Sequence, residues 1–254
     1  MVAHSRHQAI LAAVQSKSPR TVAELEALLP VSPATIRRDL TFLENLGKIV
    51  RAHGSVLRPD DVDQELSFDR KRLAALNGKL AIAQAAVAFA RPGDTIFVDA
   101  GTTTLEAGKR LLALPQITLF TNSIPLLAER PTAGARLIAV GGEVRSLSLA
   151  LTGAGALAWV RQIRIDLALL GTSGLEISHG PTTTELSEAG VKSAVAAKAT
   201  RVAVLADASK WGRPAAIRYA EWDQIHDLVI DHSPTPAERA ELGRHGTRLH
   251  RVVR

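Results

Sequence analysis

Between residues 95 and 231 the chain repeats short, continuously apolar runs that end in small or polar turns. The runs are TIFVDA (95–100), ITLFTNS (117–123), RLIAVGG (136–142), LALLGTSG (167–174), RVAVLADAS (201–209) and DLVID (227–231). They alternate with helical stretches, among them an Ala-rich one over Asn77–Ala90 and others starting near Thr103, Ile124 and Thr184. Continuous apolar strands alternating with helices build a mostly parallel sheet covered on both faces. Such a sheet also limits where a ligand can sit, because ligands bind beyond the C-terminal strand ends, where loops meet helix N-termini.

Five of the runs end in loops that suit an anion. The first ends in Asp99-Ala100-Gly101-Thr102-Thr103-Thr104, where three hydroxyls and free N–H groups open a helix. The others end in Thr121-Asn122-Ser123, in Gly141-Gly142 with Glu143 and Arg145 after it, in Gly171-Thr172-Ser173-Gly174, and in Asp207-Ala208-Ser209-Lys210. Together they predict a polar, phosphate-tolerant pocket along one sheet edge. Arg145, Lys192 and Lys210 supply cations for it. Each also has a plain reading as a surface charge, and Lys192 as an i,i+4 partner of Glu188. Asp99 either holds a sugar hydroxyl or braces its own loop.

The first 58 residues carry a different pattern. Val31–Gly47, VSPATIRRDLTFLENLG, has Ser32 as a cap, Pro33 at the first helical position and Gly47 as a stop. Ile36, Leu40 and Leu43 share one arc of the helix, with Leu46 beside it; Ala34, Arg37, Arg38, Thr41 and Asn45 fall opposite. Small residues and guanidinium groups on an exposed face suit a major groove, where Arg can bridge O6 and N7 of guanine. Asp39 falls on the buried side and reads as structural, paired with Arg6 or Arg51. Upstream, His7–Val14 has helical spacing, and Thr21 with Glu24 forms a capping box for Val22–Leu29. Downstream, KIVRAHGSVLR reads as a β-hairpin wing around His53-Gly54-Ser55. Three helices and a basic hairpin make a winged helix-turn-helix.

Charge follows the same division. Residues 1–58 hold 8 Lys/Arg against 4 Asp/Glu, residues 59–235 hold 18 against 19, and residues 236–254 hold 5 against 2. A basic module beside a neutral one is what a phosphate-contacting reader joined to a sensor would show. The expected division is a reader over 1–58, a linker and connecting helix over 59–76, a sensor over 77–235 and a basic tail over 236–254. The tail is expected as a terminal helix and strand. The absence of cysteine excludes disulfides and thiolate metal sites. No apolar run reaches the length of a membrane span, and the N-terminus lacks a signal-peptide core, so a cytoplasmic protein is expected. No histidine cluster has metal-ligand spacing, and no metal or other cofactor is expected.

The motifs VSPATIRRDLTFLENLGKIVRAHGSV, DAGTTT, TNS, GGEVR, LTG, GTSG, EAGVK and DASKWGR, in this order over residues 5–232, resemble the DeoR family of bacterial transcription regulators. The resemblance implies a winged helix-turn-helix joined to an α/β sensor related to ribose-5-phosphate isomerase. It implies a phosphorylated sugar or similar metabolite as effector, usually relieving repression of a carbohydrate catabolic operon. Carried over by position, effector contacts fall on Asp99, Gly101, Thr102, Thr103, Thr104, Asn122, Ser123, Gly141, Gly142, Arg145, Gly171, Glu185, Lys192 and Lys210. The DNA-binding residues expected are Ser32, Ala34, Thr35, Arg37, Arg38, Thr41, Lys48, Arg51 and His53. The chain departs from the family at the wing, which has Ser55 where a second glycine is commoner, and after residue 232, where no family motif is found. The expected partners are double-stranded operator DNA, a phosphorylated sugar, and further copies of the chain in a homodimer or homotetramer. The competing reading is a sugar-phosphate isomerase with an N-terminal appendage, working through Asp99, Glu185 and Lys192; the capped helix showing Arg37 and Arg38 argues against it.

Overall fold

The computed structural model describes residues 2–14, 20–52, 55–57, 67–129 and 134–253. They form two compact units, residues 1–74 and 75–254.

In the first unit, α1 (Ala3–Ala13), α2 (Val22–Leu28) and α3 (Pro33–Asn45) pack around Ile10, Val14, Leu25, Leu29, Ile36, Leu40, Leu43, Ile49 and Val56. The helix starts follow their caps. Thr21 Oγ1 accepts the Glu24 N–H while the Glu24 carboxylate accepts the Thr21 N–H, so α2 opens on a complete capping box. Ser32 Oγ accepts the Thr35 N–H at 3.3 Å, and Pro33 occupies the first turn of α3. Gly47 then takes a φ of +65°, a left-handed conformation that suits glycine and ends the helix. Leu46, expected beside the apolar arc, is exposed, because α3 stops one residue before it. Strands β1 (Arg20–Thr21), β2 (Val50–Ala52) and β3 (Ser55–Leu57) form an antiparallel sheet in the order β1-β3-β2, pairing Arg51 with Val56. The wing is therefore present, with an additional strand from the chain before α2. A short helix, α4 (Phe68–Leu73), is the described part of the expected connecting helix. It stops before Leu76, because Ala75 adopts a left-handed φ of +53° and α5 (Leu76–Val87) begins after it.

The second unit is built on seven strands: β4 (Thr95–Val98), β5 (Thr118–Thr121), β6 (Arg136–Ala139), β9 (Leu167–Gly171), β12 (Arg201–Ala206), β14 (Asp227–Ile230) and β15 (Arg248–Arg251). Their order is β15-β14-β12-β9-β4-β5-β6, and every neighbouring pair is parallel. One face, carrying Phe97, Leu170, Val204 and Leu228, packs on α8 (Gly153–Gln162) and α9 (Leu186–Lys198). Alternate residues point the other way, toward α5 and α6 (Thr102–Leu111). Between β6 and β9 the chain adds an antiparallel hairpin, β7 (Glu143–Arg145) and β8 (Ala150–Thr152). Between β9 and α9 it adds β10 (Gly174–Glu176) and β11 (Gly180–Thr183), and β11 pairs on its other side with β13 (Ile217–Arg218) in a small second sheet.

The residues of the basic tail form the expected helix and strand, and the topology joins them to the sheet. α10 (Pro236–Arg244) leads into β15, which pairs along its length with β14 and closes the sheet edge. Two of the tail's basic side chains are accounted for there: Asp227, fully buried at the start of β14, accepts hydrogen bonds from Arg248 and His250 of β15, as well as from Arg201 of β12.

Candidate functional site

On α3 the buried stripe leaves Ala34, Arg37, Arg38 and Thr41 exposed, with Thr35 half-buried beside them. The Thr41 hydroxyl donates to the Arg37 carbonyl at 2.9 Å, which turns it back along the helix. Arg37 lies 3.5 Å from Glu26, whose side chain is 23% exposed, and itself remains 70% exposed. Its guanidinium stays accessible. Lys48 is exposed just beyond the helix. His53 and the Arg51 side chain lie outside the described residues. Asp39 is held from behind: Arg6 donates to it through Nε at 2.7 Å and Nη2 at 3.1 Å, and His7 lies 3.0 Å away. The Arg6 hydrogen bonds keep its carboxyl below the usual range. Asp39 is thus a strut between α1 and α3, and Arg6 is the partner.

In the sheet, chain order reverses beside β4. The path runs outward through β5 and β6, then returns to place β9 on the other side of β4. Such a switch point leaves a crevice at the C-terminal strand ends, and here it is filled with charge. Asp99, just past β4, is 1% exposed and bonded to Lys192 of α9. Asp99 Oδ2 also accepts the Gly171 N–H at 2.9 Å, and Lys192 Nζ donates to the Gly171 carbonyl at 3.1 Å. Burial pushes the Asp99 carboxyl up, and Lys192 and the Gly171 N–H pull it back. Of the two roles open to Asp99, the bonds here are those of a brace.

The hydroxyl loop turns on the same point. Gly101 precedes α6, which opens without a side-chain cap just after the β4 strand end. Thr104 Oγ1 donates to the Asp99 and Gly101 carbonyls at 2.7 and 3.0 Å. Asn122 Oδ1 accepts the Ala100 N–H at 2.8 Å, and Ser123 caps α7 (Ile124–Leu127). Thr102 and Thr103 are buried in the first turn of α6.

A second charge pair lies one turn earlier on α9. Arg145, at the end of β7, donates to Glu188 Oε1 at 3.0 Å. The Ser148 hydroxyl donates to the same oxygen, and Thr183 Oγ1 donates to Oε2 at 3.3 Å. Lys192 therefore pairs with Asp99 across the sheet edge, and Glu188 with Arg145.

The expected residues divide accordingly. Asp99, Gly101, Thr104, Asn122, Gly171 and Lys192 meet in one hydrogen-bonded cluster, and Arg145 of β7 bonds to Glu188 one turn earlier on α9. Gly142 packs on the start of α8 and Gly141 faces Trp159 further along it: Gly142 has a φ of +141°, and a Cβ there would lie 2.4 Å from the Thr152 carbonyl oxygen. Glu185 caps α9, its carboxylate accepting the Ser187 N–H at 3.2 Å. Lys210 sits in the 3-10 turn after β12, which Asp207 caps. Two residues of the cluster escaped the sequence reading. Tyr219 donates to the Gly171 carbonyl at 2.9 Å, and its ring lies under the Lys192 ammonium, 5.4 Å from the centroid. Glu188 read only as a helical neighbour of Lys192, although a carboxylate one turn from a buried lysine was the available signal. Among the described residues no group of three His, Asp or Glu side chains gathers as a metal site would need, and no helix is long and apolar enough to cross a membrane.

Comparison with known proteins matches both units. A DeoR-like helix-turn-helix domain matches residues 6–62, and a DeoR C-terminal sensor domain matches residues 74–232. The HTH-type transcriptional regulator GlpR of Haloferax volcanii is 34% identical over 242 residues, 95% of each chain. The glycerol-3-phosphate regulon repressor of Haemophilus influenzae is 30% identical over 230 residues, 90% of this chain and 89% of that one. Among solved structures, ribose 5-phosphate isomerase A of Methanocaldococcus jannaschii aligns with 18% identity and a TM-score of 0.38 over 52% of this chain and 53% of that one. With both of its units matched, in order and over nearly the whole chain, this protein belongs to the DeoR family of DNA-binding transcriptional regulators.

Proposed function

We propose that the protein is a repressor of a carbohydrate or polyol catabolic operon, released from or held on its operator by a phosphorylated metabolite bound in the sensor. The observation that carries the DNA half is α3, whose apolar stripe is sunk in the core while Arg37 and Arg38 stand exposed beside Ala34 and Thr41. In this reading Arg37 reads a base edge with Ala34 and Thr41 beside it. Arg38 and Lys48 hold phosphates, Ser32 and Thr35 meet the backbone at the helix start, and the wing adds Arg51 and His53. Two half-sites call for a homodimer or homotetramer, working in the cytoplasm.

The sensor reading rests on the uncapped start of α6, three residues past Asp99 of the buried Asp99–Lys192 pair at the switch point. Arg145, Lys192 and Lys210 are the cations that would receive a phosphoryl group. An effector changes operator affinity only as far as it prefers one conformation over another. An isomerase would need a free base in the pocket, whereas Asp99 is buried and engaged by Lys192 and Gly171; we therefore take the chain as a regulator without enzymatic activity.

The test is fluorescence anisotropy on DNA from upstream of the protein's own gene, titrated with a panel of sugar and polyol phosphates. Salt-sensitive specific binding that one phosphorylated compound alters, with its unphosphorylated form inert, is expected. Turnover of a sugar phosphate by the purified protein, or an effector response from neutral sugars alone, would overturn the reading.

A further inference from the structure

We propose that Glu188 is an internal anion occupying the phosphate position of the sensor, so that a ligand's phosphoryl group must displace it from Arg145 and in doing so releases the β7–β8 hairpin from α9. The inference rests on the sensor reading above and adds a residue and a consequence to it.

Three donors from three places converge on one carboxylate: Arg145 from β7, Ser148 from the hairpin turn and Thr183 from β11. An arginine with two hydroxyls is also a donor set for phosphoryl oxygens. Both members of the ion pair are largely buried, at 18% and 10% side-chain exposure, so their attraction is weakly screened. On α9, Glu188 and Lys192 are one turn apart, a spacing of about 5–6 Å between Cβ atoms. Asp99 pairs with Lys192 and Arg145 with Glu188, two carboxylates and two cations whose formal charges cancel. A neutral sugar brings nothing to exchange for Glu188. A doubly charged phosphoryl group brings more charge and more acceptors than the carboxylate it replaces. Glu188 therefore works as a selectivity filter for phosphorylated ligands.

The mechanical consequence follows from where the donors sit. Arg145 and Ser148 both belong to the hairpin, so Glu188 ties the hairpin to α9. The hairpin turn also holds Leu149 at a φ of +51°, a left-handed conformation unfavourable for a residue with a Cβ. Such a conformation persists only where its surroundings enforce it. Val144 and Leu147 stand exposed on this hairpin, so its release moves an apolar surface.

Two measurements on the full chain test this. Isothermal titration with inorganic phosphate compares wild type, Glu188→Gln and Arg145→Gln. Glu188→Gln keeps the shape and removes the charge, and it is expected to bind phosphate about tenfold more tightly; Arg145→Gln is expected to lose binding. Separately, the absence of cysteine allows a single spin label at Val144→Cys. Saturating phosphate in the otherwise wild-type protein is expected to change the label's mobility in the same direction as Glu188→Gln does without phosphate. Equal or weaker phosphate binding by Glu188→Gln, while wild type binds, overturns the displacement. A label unaffected by phosphate overturns the hairpin release, and that result does not depend on the Glu188 variant folding. If neither wild type nor Glu188→Gln binds phosphate or any phosphorylated sugar of the panel, the sensor reading itself falls, and this inference with it.

Discussion

The two units handle charge in opposite ways. On α3 of the first unit, arginines stand on an exposed face with little to hold them, which leaves them available to a partner. At the switch point of the second unit, Asp99, Glu188 and Lys192 are buried and Arg145 is half-buried, and the four form two ion pairs. Exposed charges cost little to keep and contribute little to stability. Buried charges are tolerable only when paired, and removing one partner leaves the other stranded. Substitutions in the reader should therefore act mainly on binding, and those in the sensor on both binding and folding.

The sharpest way to break this contrast is Lys192→Met, which strands Asp99. It should destabilise the sensor unit by about 3–5 kcal/mol, read as a lowered midpoint in urea unfolding. A loss under about 1 kcal/mol would mean that the pair is more solvated than its burial implies.

Next is Asp227, another of the sensor's buried carboxylates. Burial alone would raise it, but hydrogen bonds from Arg201, His250 and Arg248 outweigh that and hold it at about 2, against an ordinary 3.8. A carboxyl more acidic in the folded state stabilises the fold above its unfolded value, and that stabilisation disappears as pH falls through the folded value. Asp227→Asn should cost about 1.5–3 kcal/mol at neutral pH. The difference from wild type should shrink between pH 4 and pH 2 in acid-unfolding curves.

Arg37→Ala should leave the unfolding midpoint unchanged while weakening operator binding by about 1–3 kcal/mol and relaxing preference at one base pair. Equal weakening on all DNA sequences would make Arg37 a phosphate contact instead. The smallest effect is expected from Thr21→Ala, which removes the capping box of α2 and should cost the reader unit about 1 kcal/mol. Thermal unfolding of that unit would check it.

Legibility followed the same division. Caps and the apolar stripe of α3 depend on residues within a few positions of one another, so Ser32, Thr21 and the Ile36–Leu40–Leu43 arc could be placed from spacing alone. The strands were legible for the same reason, being continuous apolar runs. The small insertions were not. The β7–β8 hairpin is three residues a side with two of its six strand positions exposed, and β15, expected only as a terminal strand, carries Arg and His because it is an edge strand paired to one neighbour, β14. The loop residues were assigned to the right sheet edge but not to their tasks. Gly142 lies against α8 and Glu185 caps α9, and neither role can be seen without the packed neighbour.

The sequence alone determined the local elements, the two-unit division of charge and the family, because each depends on residue types at short spacing. The tertiary structure decided which charges meet. Asp99 lies 93 residues from Lys192 and 72 from Gly171, and Arg145 lies 43 from Glu188. Those pairings exist because the sheet reverses its order at β4 and sets β9 and α9 against a loop laid down far earlier. Strand order is set by packing whole elements against one another, and no window of neighbouring residues carries it.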